Sequence, residues 1–326
     1  MIEVQLVTTW NAACGISEHA AMLKDAVKAA DPTITISPCP EYLDPSNLQR
    51  QNLPDPPLIL HLNYQAGLHS RWTPDEVRAA QKCGYMVVIT YHDTYDGTDS
   101  PNSDQAKALC AIADAFIVHE PVTDLPRAIY WRQGVPGAEM PMALLPSDKA
   151  WKNQPLVGSL GFPFPWKNFD LLCEASALAG WAVLLIASGA TDEDVARWRS
   201  LNPHLYVRQD FVGRREAISF LTGCDATAFL YVNHNTGTSG AIRMGLAARK
   251  PVLAIAPECG GRQFRDLERE WIHWIDDGTP RGVATMLESV AIERCDPHIV
   301  ALAHRDSWTE RGRDYTALYH RLREGA

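Results

Sequence analysis

ATAFLYVNHNTGTSGAIRMGLAARKPV, residues 226–252, lays out a strand, a polar loop, a helix and the start of a second strand. Residues 226–232 are mostly apolar and β-prone, and residues 233–240 supply Asn, His, Thr, Gly and Ser. Residues 239–248 carry a helical pattern that ends at Arg249 and Lys250, and Pro251 opens the next strand. The first N–H groups of a helix lack internal partners and sit at the positive end of its dipole, so this loop faces an anion. Gly237 and Gly240 let the backbone approach a ligand, while Thr236, Thr238 and Ser239 offer caps or hydroxyls. An ordinary capped helix in an α/β unit has the same appearance, and the surrounding chain decides between the two.

Outward from this stretch the same rhythm recurs. Strands are expected at residues 156–160, 182–187, 205–207 and 252–255, with helices at 168–179, 192–200 and 215–221. In the first half, strands are expected at residues 2–8, 33–36, 58–62, 86–90 and 115–118, and helices at 17–30, 74–83 and 104–113. Strands that are apolar throughout and separated by helices belong to parallel sheets covered on both faces. The expectation is two doubly wound, Rossmann-like α/β domains facing a cleft. The polar stretch LLPSDKAWKNQP, residues 144–155, marks the hinge, giving domains at 1–148 and 149–305. Residues 297–324 read as a long helical stretch with Trp308, Tyr315, Leu318, Tyr319 and Leu322 as its apolar stripe. The segment 306–326 is expected to pack back on the first domain.

The chain has 326 residues, 46% of them hydrophobic, enough for two ordinary domains without staples. Its eight cysteines are scattered singly, with neither a C-x-x-C pair nor a Cys/His zinc spacing, which suits a reducing compartment. No basic leader precedes an apolar run, and no run is long enough to span a bilayer, so a cytoplasmic protein without an integral membrane segment is expected. Net charge is −9, of which residues 1–150 carry −8 and residues 151–326 carry −1. An acidic first half is a poor surface for a polyanion, whereas the second half suits a small anionic ligand.

Five loops after expected strands carry polar chemistry. Gly15 lies in the first, just before a helix; His61, Asn63 and Tyr64 end the third strand; His92 and Asp93 follow the fourth; His119 follows the fifth. One such histidine is ordinarily structural, but three in succession point to function. The fifth loop, GSLGFPFPWKN from Gly158, brings Lys167 to the mouth of a helix, where a cation beside free N–H groups makes a phosphate site. Asp192, Glu193 and Asp194 fall in a helical first turn and complement its dipole. Arg214 and Arg215, after Gly213, either touch a nucleotide or face solvent. No P-loop, no G-x-S-x-G and no G-x-G-x-x-G after the first strand is present, so kinase, hydrolase and ordinary dehydrogenase readings lose their main support.

Nearly the whole chain resembles the GT-B glycosyltransferases of the large retaining group 1, or family 4-like, class. CGISEHAAML, residues 14–23, is similar to that family's glycine-bearing N-terminal loop. HLNYQAGLH and TYHD are similar to its strand-end segments, and VGSLGFPFPWKNFDLLCEA to its lysine-bearing block. FVGRREAISFLTGCDATAFL and the opening stretch resemble the segments that hold nucleotide and phosphates. The resemblance implies that Gly15 approaches the donor diphosphate, His92 lies against the transferred sugar and Lys167 pairs with the diphosphate. It implies donor contacts at Ser159, Gly213, Arg214, Thr236, Thr238, Ser239, Gly240 and Arg243. Asn63, Tyr64, Asp93, His119, Asn233 and Asn235 are expected to meet acceptor or sugar. It further implies a metal-independent reaction with no cofactor, in which a UDP- or GDP-linked sugar is the co-substrate and the acceptor hydroxyl attacks with retention. Two departures stand out: Ser159 replaces the family's arginine, with Arg243 able to compensate, and Thr236 and Met244 occupy the glutamate positions of E-x7-E. Asn233, His234 and Asn235 are placed to supply replacement hydrogen bonds.

The expected activity is transfer of a sugar from a nucleoside diphosphate to an acceptor hydroxyl, with a saccharide or small molecule favoured as acceptor. One alternative is a GT-B protein that binds a nucleotide sugar without transferring it. Another is a phage-type enzyme glycosylating hydroxymethyl pyrimidines in DNA, which would need a basic patch built from Arg71, Arg78, Arg127 and Arg132.

Overall fold

The computed structural model describes residues 1–10, 12, 14–39, 58–93, 101–120, 122, 124–136, 143–144, 154–232, 239–259, 272–290 and 297–325. They form two compact units: Met1–Gly134 with Asp306–Ala326, and Val135–His234 with Ser239–Arg305. The first unit begins with β1 (Ile2–Val7), α1 (Gly15–Ala30), β2 (Ile34–Pro38), β3 (Ile59–Tyr64) and the short α2 (Ala66–His69). It continues with α3 (Pro74–Lys82), β4 (Met86–Tyr91), α4 (Pro101–Ile112), β5 (Ala115–Val118) and β6 (Ala128–Tyr130). The second holds β7 (Leu156–Gly161), α5 (Phe169–Ala179), β8 (Ala182–Ala187), α6 (Asp192–Leu201), β9 (Leu205–Arg208) and α7 (Arg214–Thr222). It is completed by β10 (Ala226–Phe229), α8 (Gly240–Ala247), β11 (Val252–Ile255), β12 (His273–Ile275), α9 (Pro280–Ser289) and α10 (Pro297–Arg305). The last helix, α11 (Trp308–Glu324), belongs to the first unit.

Each unit is built on one six-stranded sheet, ordered β2-β1-β3-β4-β5-β6 and β12-β11-β10-β7-β8-β9, with the neighbouring strands parallel. Alternate residues feed opposite faces, as the two-residue period of a strand requires. In β4, Val87 and Ile89 join Trp72 and Phe116 on one side, while Val88 joins Leu23, Val27 and Tyr319 on the other. In β8, Leu184 and Ile186 face one cluster and Val183 and Leu185 the other.

Several boundaries differ from the sequence reading. β6 and β12, three residues each, are too short to leave a periodic signal, and α9 was not anticipated. The expected strand at 226–232 pairs only through Phe229. The stretch 297–324 is two helices: Ser307 accepts a hydrogen bond from the Glu310 amide and caps α11, and Asp306 forms a 3.3 Å ion pair with Arg132. Asp192, Glu193 and Asp194 occupy the first turn of α6, where Thr191 and Asp194 make a capping box.

Two features hold α11 in the first unit. Gly312 crosses α1 so closely that a Cβ there would lie 2.4 Å from the Ala26 carbonyl oxygen. Beneath the helix, the buried His61 ring shares hydrogen bonds with Tyr319 (Nδ1, 2.7 Å) and Thr90 (Nε2, 2.8 Å), and Thr90 meets Tyr315 at 3.0 Å. His61 is therefore a structural histidine. Burial lowers its pKa to about 3.

Gly312→Ala is expected to lose about 1–3 kcal/mol in urea unfolding, because overpacking against backbone outweighs the roughly 1 kcal/mol gained in helix propensity. Between His61's ordinary value and about 3, the unfolded chain binds a proton that the native ring refuses. Native stability is therefore intact above pH ~6.5 and declines as pH falls through that window, by up to about 1.4 kcal/mol per pH unit. Melting curves from pH 8 to 4 read this, and the slope should be shallower in His61→Phe.

Candidate functional site

In a parallel sheet every strand ends at the same edge, and the polar residues of both units gather there. In the second unit the centre is Lys167. β7 ends at Gly161, and a single 3₁₀ turn, Pro165–Lys167, is closed by Asn168 in the left-handed region at φ 59°. The turn directs Lys167 inward to 7% exposure. Its Nζ donates to the Tyr231 hydroxyl at 2.6 Å and lies 3.8 Å from the Tyr231 ring centroid and 4.5 Å from that of Trp166. Gly161, at φ +148°, is required: a Cβ there would sit 3.2 Å from Nζ.

Burial alone lowers the Lys167 pKa, to about 7, and no carboxylate among the described residues counters it. Tyr231 also accepts from the Ser239 hydroxyl at 3.4 Å, and Ser239 is the residue before α8, where its side chain makes no capping bond. The chain Lys167–Tyr231–Ser239 thus leads from the lysine to the start of α8, whose Gly240 is its first residue. Arg243, one turn on, is 1% exposed. Buried ammonium and guanidinium groups with aromatic and hydroxyl neighbours make an environment that favours an anion.

The other expected donor residues are placed as follows. Ser159 is buried in the middle of β7, inside the sheet rather than in the loop after it. Gly213 is the N-cap of α7, and Arg214, its first residue, is half-buried. Met244, partly buried, packs against the apolar core of its unit. Asn233, Asn235, Thr236 and Thr238 lie outside the described residues.

In the first unit the centre is a group of histidines. His92 and His119 follow β4 and β5, and His19 reaches them from the second turn of α1. Ring centroids lie 4.5 Å apart for His19–His92, 5.1 Å for His92–His119 and 5.4 Å for His19–His119. Asn63 fixes His92: its Nδ2 donates to the Ile16 carbonyl at 3.1 Å, so its Oδ1 accepts from His92 Nε2–H. His119 Nδ1 donates to the Trp131 carbonyl at 2.9 Å. Burial, then neighbouring histidines, hold the His92 and His19 pKa values well below the ordinary range, so both rings are neutral at pH 7.

Gly15 starts α1, with open space where a Cβ would stand. Asp93 accepts from the Ala66 amide, and burial raises its pKa. Tyr64, expected to touch acceptor or sugar, is instead a core residue with no exposure, stacked on Tyr91 at 5.6 Å; the strand's alternation turns it away from the face that carries Asn63. The sequence reading missed Tyr231, Gly161 and His19. Tyr231 stands where an apolar strand turns polar, but an aromatic there looks like core, and nothing in spacing ties His19 to His92.

No protein-family model and no curated protein sequence matches the chain. Solved structures do match it in fold. HepE of Anabaena, solved with UDP and glucose, superposes with a TM-score of 0.69 at 10% identity, covering 98% of this chain and 99% of that one. A UDP-forming α,α-trehalose-phosphate synthase of Burkholderia xenovorans, in complex with glucose-6-phosphate, gives 0.63 at 9% identity over 98% and 100%. AviGT4, a glycosyltransferase involved in avilamycin A biosynthesis, gives 0.62 at 14% identity over 100% and 99%. The chain has the fold of these proteins, GT-B, with two Rossmann-like units.

Lys167→Met is expected to stabilise the free protein by about 1–4 kcal/mol, as replacement of buried charged groups by apolar ones can. The sign follows from the depressed pKa: between its ordinary 10.5 and about 7 the unfolded chain holds the extra proton, so native stability falls with acidification and the deficit is full below about pH 7. The variant's gain in chemical denaturation should be largest at pH 6 and vanish near pH 10.5.

Proposed function

We propose that this chain is a GT-B glycosyltransferase that moves a sugar from a nucleoside diphosphate to an acceptor hydroxyl. The observation that carries this reading is Lys167, an ammonium buried without a carboxylate partner among the described residues, beside the start of α8 in a Rossmann-like unit. A diphosphate would return the lost solvation, bring the lysine back to its charged form and gain most as negative charge builds on the leaving group. Lys167, Arg243 and the N-terminus of α8 would then do what a divalent ion does elsewhere, so nucleotide departure would need no metal. The fold relatives solved with UDP, or described as UDP-forming, support uridine as the base.

His92, neutral and oriented by Asn63, would lie with its ring against the transferred sugar. Attack by the acceptor on the face the nucleotide leaves, with a phosphate oxygen taking the proton, would retain configuration. A saccharide or small-molecule hydroxyl suits the acidic first half better than DNA does. Among the described residues no helix is long and apolar enough to cross a membrane.

Nucleotide release from UDP-, GDP- and ADP-sugars tests the reading. Turnover or slow hydrolysis with at least one UDP-sugar is expected, and Lys167→Ala and His92→Ala should each lower kcat by about 10²-fold or more with melting temperatures near wild type. Binding without release across the panel would make the chain a nucleotide-sugar-binding protein. Salt-sensitive retention on duplex DNA would move the acceptor to modified bases.

A further inference from the structure

The histidine group of the first unit has a property that sugar binding does not use. His19 is 1% exposed, and neither of its ring nitrogens makes a hydrogen bond of normal geometry; the Asn63 side chain, already engaged with Ile16 and His92, exerts only a weak pull on it. A neutral imidazole presents one donor and one acceptor, and leaving each unmade in the interior is costly. The ring is held edge-on by Trp308 at 4.9 Å and by His92 at 4.5 Å, contacts that supply packing and no proton partner. One nitrogen from each of His19, His92 and His119 lies within 4.8 Å of the other two.

We propose that His19, His92 and His119 form a binding site for one divalent transition-metal ion of the Zn2+ type. Ligation needs a lone pair on each ring, and the surrounding hydrogen bonds leave one. Trp131 takes the His119 Nδ1 proton, so His119 Nε2 keeps its pair; Asn63 takes the His92 Nε2 proton, so His92 Nδ1 keeps its pair. A backbone carbonyl and an amide oxygen that fix ring tautomers are the outer partners metal-bound histidines commonly have. Zn–N bonds of about 2.0–2.1 Å put tetrahedral ligand nitrogens about 3.4 Å apart, a closure within reach of small ring movements. Three neutral imidazoles suit a borderline-soft ion over Mg2+ or Ca2+, which favour oxygen. His92 is half-buried, which leaves an approach and a fourth position for water or a ligand. The site lies at the strand ends of the first unit and takes no part in holding the diphosphate.

The test uses the full chain freed of metal with a chelator, then titrated with Zn2+ by calorimetry and with Co2+ by visible absorption. One equivalent of Zn2+ should bind with a Kd in the micromolar range or tighter, raise the melting temperature, and be matched by the intense visible bands of tetrahedral Co2+. His19→Phe keeps the contact with Trp308 and removes both orphan nitrogens; it should fold at least as stably, bind Zn2+ at least 10-fold more weakly and show no Zn2+-dependent rise in melting temperature. His119→Ala should also lose the Co2+ bands, while His204→Ala, on the exposed surface of the second unit, should keep them. Lys167→Ala separates this proposal from the donor reading, because it should lose UDP binding and keep Zn2+ binding. No binding by the wild type, or equal binding by a folded His19→Phe, would overturn the site.

Discussion

A sheet whose strands all run parallel has one edge where every strand ends, and that constraint governs where chemistry can stand in both units of this chain. The inner strands are buried on both faces and carry mostly Val, Leu, Ile and Phe, with His61, Thr90, Ser159 and Thr227 among the buried polar exceptions. Polar groups that need freedom to meet a ligand are left to the turns at that edge. Lys167, Tyr231 and Ser239 follow β7 and β10 in the second unit; Asn63 ends β3, and His92 and His119 follow β4 and β5 in the first. The sheet does not choose the chemistry, but it fixes the addresses.

The two units handle a shared difficulty in opposite ways. The second buries an amine and surrounds it with ring faces and a hydroxyl, leaving its charged form with a deficit that an anion would repay. The first buries imidazoles that have given up their charge, tuned by burial and by one another, so their lone pairs become the reactive feature. Electrostatics of the first kind suits binding and leaving-group stabilisation, and of the second, ligation and contact with a neutral sugar. His92 belongs to the second kind, and its orientation rests on Asn63, itself held by the Ile16 carbonyl.

Much of the fold was legible because its signals are local. Apolar strands alternating with capped helices gave two parallel-sheet domains, and the turn chemistry put Lys167 and Ser239 in the turns at the strand ends. What stayed hidden was relational. A one-letter string does not say that His61 satisfies Tyr319 and Thr90 while His92 stays at the edge, so three similar strand-end histidines looked alike. Tyr64 looked polar enough for a site, yet it falls on the core side of β3. His19 had no signal, because its significance comes from residues brought beside it by the sheet. The break between α10 and α11 was invisible to periodicity and depends on the Ser307 cap and the Asp306–Arg132 pair.

The central claim is that Lys167 is held short of its full charge until a diphosphate arrives. Its amine can be followed directly by NMR of protein labelled with 13C at lysine Cε, with Lys167→Met assigning the resonance, through a pH titration with and without UDP. A midpoint near 7 in the free protein, moving up by about two units or more when UDP is bound, is the predicted result. A Lys167 that titrates near 10.5 in the free protein and does not respond to UDP would contradict the account.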